Sequence, residues 1–98
     1  MPGSRRTNDP DGREVVLGLR TERHLKQRRP EMIRHISAIL NAVERPDFRE
    51  DDVVVGRERF FRRDLDPTRW LRVVVDFNQT PGLVVTAFVQ YQKPRSSS

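Results

Sequence analysis

Two apolar segments near the end of the chain, separated by five residues that favour a turn, constrain the fold more than any other feature. Residues 70–77 and 83–91 place apolar side chains on one face and are rich in valine, a pattern typical of β-strands. The residues between them, 78–82, include Pro81 and Gly82 and predict a hairpin loop. The sequence therefore predicts an antiparallel hairpin formed by the two strongest strands of the chain.

Side chains alternate along a strand, so this hairpin has two different faces. Pairing Phe77 with Leu83 brings two apolar faces together under a helix. The apolar face then contains Leu71, Val73, Val75, Phe77, Leu83, Val85, Ala87, Val89 and Tyr91. The other face contains Arg72, Asp76, Thr86, Phe88 and Gln90. In this register Thr86 lies opposite Val74. The second face is suited to RNA, and it is also consistent with an ordinary solvated surface.

The segment before the hairpin predicts two helices and three shorter strands. Thr21 is a good N-cap for a short helix over 22–28, and Pro30 separates this helix from the next one. Residues 31–44 carry apolar side chains at three- and four-residue spacing, which predicts an amphipathic helix. The other predicted elements are strands at 14–19, 53–55 and 58–63 and a solvated acidic loop at 50–52.

Length and composition limit the chain to one small domain. Its 98 residues predict a single domain over 13–93, a disordered arm over 1–12 and a disordered tail over 94–98. The chain contains no Cys, which excludes disulfides and thiolate chemistry. It has neither a signal-peptide pattern nor a run of about 18 apolar residues. We therefore expect no membrane association and a location in the cytoplasm, or delivery into a target cytoplasm.

The positive charge is concentrated in two segments. The formal net charge is +5, and 17 of the 19 basic residues are arginine, whose guanidinium binds phosphate in a bidentate manner. A GC-rich coding sequence explains the same arginine bias. Residues 1–30 carry a net charge of +4, residues 31–56 one of −3 and residues 57–72 one of +3. If the two basic segments meet, they form the basic face typical of a nucleic-acid-binding protein.

Few side chains are suited to catalysis. His24 and His35 are eleven positions apart, and no HExxH pattern or Gly-rich phosphate loop is present, so we expect no metal and no cofactor. Cleavage of RNA by transesterification needs only an acid–base group near the 2′-hydroxyl and cations at the phosphate. An imidazole is suited to acid–base catalysis near neutral pH, and His24 shares a helical face with Arg28. The alternative for His24 is a surface or capping role, and His35 is interpreted as structural.

Several short motifs follow one another in a fixed order along the chain. They are His24 at a helix start, Arg29-Pro30-Glu31, the amphipathic helix ending at Pro46-Asp47, Phe60-Phe61-Arg62, and the strands 71–75 and 84–88. In this order they resemble the phage- and toxin-associated nucleases of the barnase–EndoU–colicin–RelE-like superfamily, the BECR fold, over about residues 15–93. The resemblance implies an α+β fold in which N-terminal helices pack on one face of a four- to five-stranded antiparallel sheet.

The resemblance also implies a small metal-independent endoribonuclease of toxin or phage type. The implied catalytic residues are His24, Thr86 and Arg62, and the predicted nucleic-acid-binding residues are Arg20, Lys26, Arg28, Arg29 and Arg72. His24 is expected to act as general acid or base, Thr86 to contact phosphate or the 2′-hydroxyl, and the arginines to hold the scissile phosphate. Relatives commonly have His where this chain has Arg29. If that His is essential, the chain binds RNA without cleaving it.

Two alternatives to an enzyme remain open. The first is a non-catalytic nucleic-acid-binding module, in which arginines provide salt-dependent affinity for phosphate and His24 has no role. The second is a protein-interaction domain that engages an acidic partner, such as an antitoxin or immunity protein. Replacing His24 separates catalysis from binding. An enzyme is expected to lose its activity and keep its RNA affinity, whereas the affinity of a binding module is expected to change little.

Overall fold

The structure is a six-stranded sheet with its helices packed on one face. The computed structural model describes residues 5–63 and 69–91, so the predicted tail at 94–98 lies outside the described residues. The elements are β1 (Arg5–Asn8), β2 (Glu14–Leu17), α1 (Leu19–Arg28), a 3₁₀ helix (Pro30–His35), α2 (Ile36–Glu44), β3 (Phe48–Asp51), β4 (Arg57–Arg63), β5 (Trp70–Asp76) and β6 (Gly82–Gln90). None of the helices in these ranges is long and apolar enough to cross a membrane.

The α+β class is confirmed, and the prediction of four to five antiparallel strands after N-terminal helices is wrong. The strand order is β1–β2–β6–β5–β4–β3, and two strands precede α1. β2 and β6 pair in parallel, with Val15 opposite Gly82 and Val16 opposite Leu83. A parallel pair needs a long connection between its strands, and here the helices and three other strands provide it. Pairing between segments so distant in sequence has no local signature.

Helices and strands share one apolar core on the inner face of the sheet, which we define as the face that packs against α1 and α2. The helices contribute Leu25, Met32, Ile39, Ala42 and Val43. The strands contribute Val15, Leu17, Phe60, Leu71, Val73, Val75, Val84 and Ala87. α2 contacts β1 as well as β4 and β5, so the sheet curls around this helix. The opposite side, which we call the outer face, points away from the helices.

The hairpin of β5 and β6 follows the predicted register only in part. Val74 lies opposite Thr86, as predicted. A β-bulge between Val74 and Val75 then shifts the pairing by one residue, so that Asp76, and not the residue after it, lies opposite Leu83. The alternation pattern therefore gives the correct pairing for the first half of β5 and the wrong pairing next to the loop.

The bulge also changes which side chains of β6 enter the core. Val84 and Ala87 are fully buried in the core, whereas Leu83 and Val85 are half-buried and lie outside the core cluster. Tyr91 is 70% exposed. The prediction that every second residue from 83 to 91 faces the core is therefore wrong, because the extra residue of a bulge reverses the alternation beyond it.

α1 begins earlier than the sequence predicts. It starts at Leu19 with Gly18 at the N-cap position, so Thr21 is inside the helix and does not cap it. The Thr21 side chain is buried, and its Oγ1 donates a 2.7 Å hydrogen bond to the backbone carbonyl of Val84 in β6. The preference of Thr for N-cap positions reflects hydrogen bonds to nearby backbone groups. Here the hydroxyl donates to a carbonyl that is distant in sequence.

Two further predicted elements differ from the structure. The helix predicted over 31–44 is divided into the 3₁₀ helix and α2. The strand predicted over 53–55 is a turn whose first and last valines are 87% and 88% exposed. β3 instead includes most of the acidic run that is predicted to be a loop, because Glu50 pairs opposite Arg59 in β4. Cross-strand pairing of opposite charges supports a strand that hydropathy does not indicate.

Charged side chains hold β1 in place, within the segment 1–12 for which composition predicts a disordered arm. Asp9 follows β1, and its buried carboxylate accepts hydrogen bonds from the backbone N–H and the Nε of Arg13 at 2.8 and 2.7 Å. Arg13 also donates two hydrogen bonds to Glu58 in β4, at 2.9 and 3.1 Å. Arg49 in β3 donates to the same carboxylate at 3.1 Å. These bonds join β1 and β2 to the far side of the sheet.

The shared carboxylate makes stability depend on pH. Hydrogen bonds from Arg13 and, to a smaller extent, Arg49 lower the pKa of Glu58 below its ordinary value of 4.5, against the opposing effect of burial. Because the pKa is lower in the folded chain, the stabilisation is present above pH 4.5 and is lost as the pH falls through the lowered pKa.

We expect Glu58→Gln to lower the free energy of unfolding at neutral pH by about 1–3 kcal/mol, because Arg13 and Arg49 each lose one of their charged partners. Below pH 4.5 the stability of the variant also decreases less than that of the wild type, because the variant has no carboxylate to protonate at this position. Urea unfolding at a series of pH values measures both effects, with the exposed Glu31→Gln as control. Parallel pH profiles for wild type and Glu58→Gln would contradict this assignment.

Candidate nucleic-acid interface

The outer face of the sheet combines aromatic rings with arginines. Its aromatic side chains are Phe48, Phe61, Trp70 and Phe88. Its arginines include Arg59, Arg63 and Arg72. Phe61 and Trp70 are buried although they lie outside the main core and on the side away from α1 and α2. This face therefore has an apolar base with cations around it, in contrast to a plain solvated strand surface.

Two arginines from different parts of the chain meet at one ring. The guanidinium carbon of Arg72 lies 5.1 Å from the ring centroid of Phe88 and 5.8 Å from that of Phe61. The guanidinium carbon of Arg29 lies 4.8 Å from the Phe88 centroid. These distances are within the cation–π range of about 6 Å. The Phe88 ring is therefore a shared contact of two positively charged groups.

Arg29 reaches this ring because α1 runs beside β6. Among the described strands, β2 pairs with β6 only at the first two residues of β6. α1 follows β2 directly, and it contacts β6. The hydrogen bond from Thr21 to Val84 fixes the first turn of α1 against the strand. Arg29, the C-cap residue of α1, then contacts Phe88, four residues further along β6.

Glu50 and Asp52 on the outer face form ion pairs with Arg59, and neither of them forms an ion pair with Arg72. The Arg59 guanidinium donates to Asp52 at 2.7 Å and to Glu50 at 2.9 Å. No carboxylate of the described residues forms an ion pair with Arg72, and its buried Nε has no hydrogen-bond partner there. Buried polar groups are normally satisfied, so an exception calls for an explanation, and a bound ion is one of them.

The pKa of Arg72 is also consistent with a positive charge that lacks a nearby carboxylate partner. Burial lowers the pKa of Arg72 and the positive charge of Arg59 lowers it further, while Asp52 and Glu50 oppose the shift. Arginine stays protonated at any working pH, so the lowered pKa indicates a charge that its surroundings do not fully compensate. A perturbed group of this kind identifies a candidate functional site. An anion is the ligand that would supply the missing partner.

Three of the residues predicted for the site lie around this ring, namely Arg29, Arg72 and Thr86. Thr86 is on the outer face, two residues before Phe88 in β6. Arg62 is not part of this group. It lies opposite Leu71 on the inner face, and its guanidinium donates a hydrogen bond to the backbone carbonyl at the end of α2. The arginine of the aromatic motif is therefore separated by the sheet from Arg72.

The remaining predicted site residues lie on the exposed surface of α1. They are Arg20, His24, Lys26 and Arg28. Within the described ranges His24 has no hydrogen bond or ion pair. No contact among these residues therefore aligns the imidazole with Thr86, and the group that the structure brings together consists of cations and a hydroxyl.

Sequence reasoning missed the contribution of β4 to this face. Arg63 lies opposite Trp70, and its guanidinium carbon is 5.0 Å from the Trp70 ring centroid. The alternation of β4 places Phe61 and Arg63 on one face. Their position relative to Trp70 depends on the β4–β5 register, which a connection longer than a tight hairpin turn does not fix.

Searches with the chain against protein-family models, curated proteins and solved structures found no match.

Replacing Arg72 tests whether the fold needs this charge. We expect Arg72→Met to change the free energy of unfolding by less than about 1 kcal/mol, or to raise it, because Met keeps the packing on the rings and removes an unpaired charge. Arg59→Met, on the same face, is the matched comparison. We expect it to lower the free energy of unfolding by about 1–3 kcal/mol, because Asp52 and Glu50 lose their partner. An equal loss for both variants, measured by urea unfolding, would assign Arg72 a structural role.

Proposed function

We propose that the chain binds single-stranded RNA through its outer face. The observation that carries this proposal is the pair of guanidinium groups, from Arg29 and Arg72, that both contact Phe88, with neither in an ion pair with a carboxylate of residues 5–63 and 69–91. A guanidinium binds phosphate oxygens through parallel hydrogen bonds. Because both groups contact the same ring, we expect them to bind neighbouring phosphates of one strand. A phosphate would supply the partner that Arg72 lacks among the described residues.

The shape of this surface favours a single strand. Arg72 and Phe88 lie on the surface of the sheet, and sheet surfaces that combine aromatic and cationic side chains are a common platform for single-stranded nucleic acid. Thr86 lies on the same face and offers a hydroxyl to a phosphate or a 2′-hydroxyl. The choice of RNA over DNA rests on the resemblance of the sequence motifs to ribonucleases.

Arginine variants on the two faces of the sheet test the binding surface. We expect Arg29→Met and Arg72→Met each to weaken binding of a labelled single-stranded RNA by about tenfold. Each also reduces the slope of log affinity against log salt by about 0.7, because one phosphate contact is lost. Fluorescence anisotropy at several salt concentrations measures both quantities.

The matched control is Arg62→Met, which removes the same charge from the inner face. We expect this variant to keep its RNA affinity within about twofold, apart from the weak effect of net charge. An equal loss for all three variants would mean that net charge alone attracts RNA, and the proposed surface would then be rejected.

Metal-independent cleavage of the bound RNA is a second candidate, favoured by the position of α1. This helix carries His24 and lies beside β6, which carries Thr86. In such a reaction a base takes the proton of the 2′-hydroxyl and the 2′-oxygen attacks the phosphorus. The bond to the 5′-oxygen breaks, and that oxygen leaves with a proton from an acid. We propose His24 as the acid or base, with Arg29 and Arg72 stabilising the negative charge on the non-bridging oxygens of the phosphorane.

The motif resemblance to toxin and phage nucleases supports this reaction, and Arg29 at the place of the family's His counts against it. For this candidate we expect the wild-type chain to convert end-labelled RNA to 2′,3′-cyclic phosphate products in EDTA. His24→Gln is expected to lose cleavage and to keep RNA affinity, while His35→Gln, at the end of the 3₁₀ helix, keeps both. Binding without cleavage by the wild type would leave a non-catalytic RNA-binding module.

A further inference from the structure

A groove on the helical side of the molecule has the features of a second binding surface. It lies between α1, the segment that follows α1, and β1, and has a volume of about 280 Å³. We call it the α1 groove. Its lining residues are Arg5, Leu19, Glu22, Arg23, Lys26, Ile33 and Ile36. None of these residues contributes to the outer face, so the groove is separate from the surface proposed for RNA.

The floor of the α1 groove is apolar and open to solvent. Leu19 at the start of α1 is 49% exposed, and Ile33 in the 3₁₀ helix is 37% exposed. Ile36, at the start of α2, is half-buried between the groove and the core. Single exposed apolar residues are common, whereas several that line one concave surface indicate an interaction site. A cavity of this size accepts one or two apolar side chains.

The rim of the groove is positively charged. Glu22 is neutralised by Arg5, whose Nε lies 3.0 Å from its carboxylate. Arg23 and Lys26 are exposed, and no ion pair is formed by either one within the described part of the chain. Three cations and one carboxylate therefore line the groove. The excess positive charge would attract carboxylates placed beside an apolar anchor.

We propose that the α1 groove binds an acidic amphipathic peptide segment of a partner protein. An apolar side chain of that segment fills the space between Leu19 and Ile33, and its carboxylates pair with Arg23 and Lys26. A segment of this kind matches the groove in both polarity and charge, in the manner of helix-in-groove recognition. RNA lacks the apolar side chain that this floor requires. The proposal does not depend on RNA binding by the outer face.

A synthetic peptide tests the proposal directly. The probe is a fluorescein-labelled peptide that places leucines on one helical face among glutamates, and the control probe replaces the leucines with serines at the same charge. We expect the full chain to bind the leucine peptide and to bind the serine peptide at least about tenfold more weakly, because the anchor is lost. Equal binding of the two peptides, or no binding of either, would overturn the proposal.

Variants of the chain locate the binding. Ile33→Ser and Lys26→Glu, both in the groove, are each expected to weaken peptide binding by about tenfold. The controls are Val53→Ser and Arg45→Glu, which make the same kind of change at exposed positions outside the groove. The controls are expected to bind like the wild type.

Two further outcomes would overturn the proposal. The first is a loss of peptide binding in the controls as large as in the groove variants. The second is binding of the chain to anionic phospholipid vesicles, sensitive to Ile33→Ser, without binding of the peptide. RNA affinity of Ile33→Ser is measured in parallel, and we expect it to match the wild type, so that failure of one proposal is distinguished from failure of the other.

Discussion

The sheet buries only one of its two faces under the helices, and the aromatic side chains of the other face are left to be covered in some other way. On the outer face this is done in part by arginine, whose planar cation packs on rings and still reaches water. Arg63 contacts Trp70, and Arg72 contacts Phe61 and Phe88. The same contacts that shield the rings therefore concentrate positive charge on one surface, and this links the architecture to the proposed function.

The arginines that stabilise the fold differ from the functional candidates in their ion pairs with carboxylates. Arg13, Arg49 and Arg59 each bond to two or more carboxylates. Arg13 and Arg49 join segments that are distant in sequence, and Arg59 joins the consecutive strands β3 and β4. Arg29 and Arg72 have no such partner among the described residues. The sequence predicts both as phosphate ligands, and alternation along β5 and β6 is enough to place Arg72, Thr86 and Phe88 together. The sequence motif also predicts Arg62 as a phosphate ligand. This motif does not reveal which face of the sheet its arginine occupies.

The fold is predictable where burial leaves a periodic pattern. α2, β4, β5 and β6 are each indicated by apolar spacing, since their side chains form the core. β1 and β3 are not, because their sequences are mainly polar or charged and their order depends on pairing with other strands. The opposite case is the run of valines at 53–55, which is apolar and predicts a strand but forms an exposed turn. The bulge after Val74 is equally hidden, because it results from pairing geometry rather than from residue type.

The central claim is that Arg29 and Arg72 are the cations that contact RNA, and side-chain NMR tests it most directly. In a ¹⁵N-labelled chain the Nε–Hε signal of each arginine, assigned by substitution, reports its own surroundings. We expect titration with a short single-stranded RNA to shift the Arg29 and Arg72 signals and to leave that of Arg62, on the inner face, unchanged. Shifts confined to the exposed arginines of α1, with the Arg72 signal unaffected, would contradict the account.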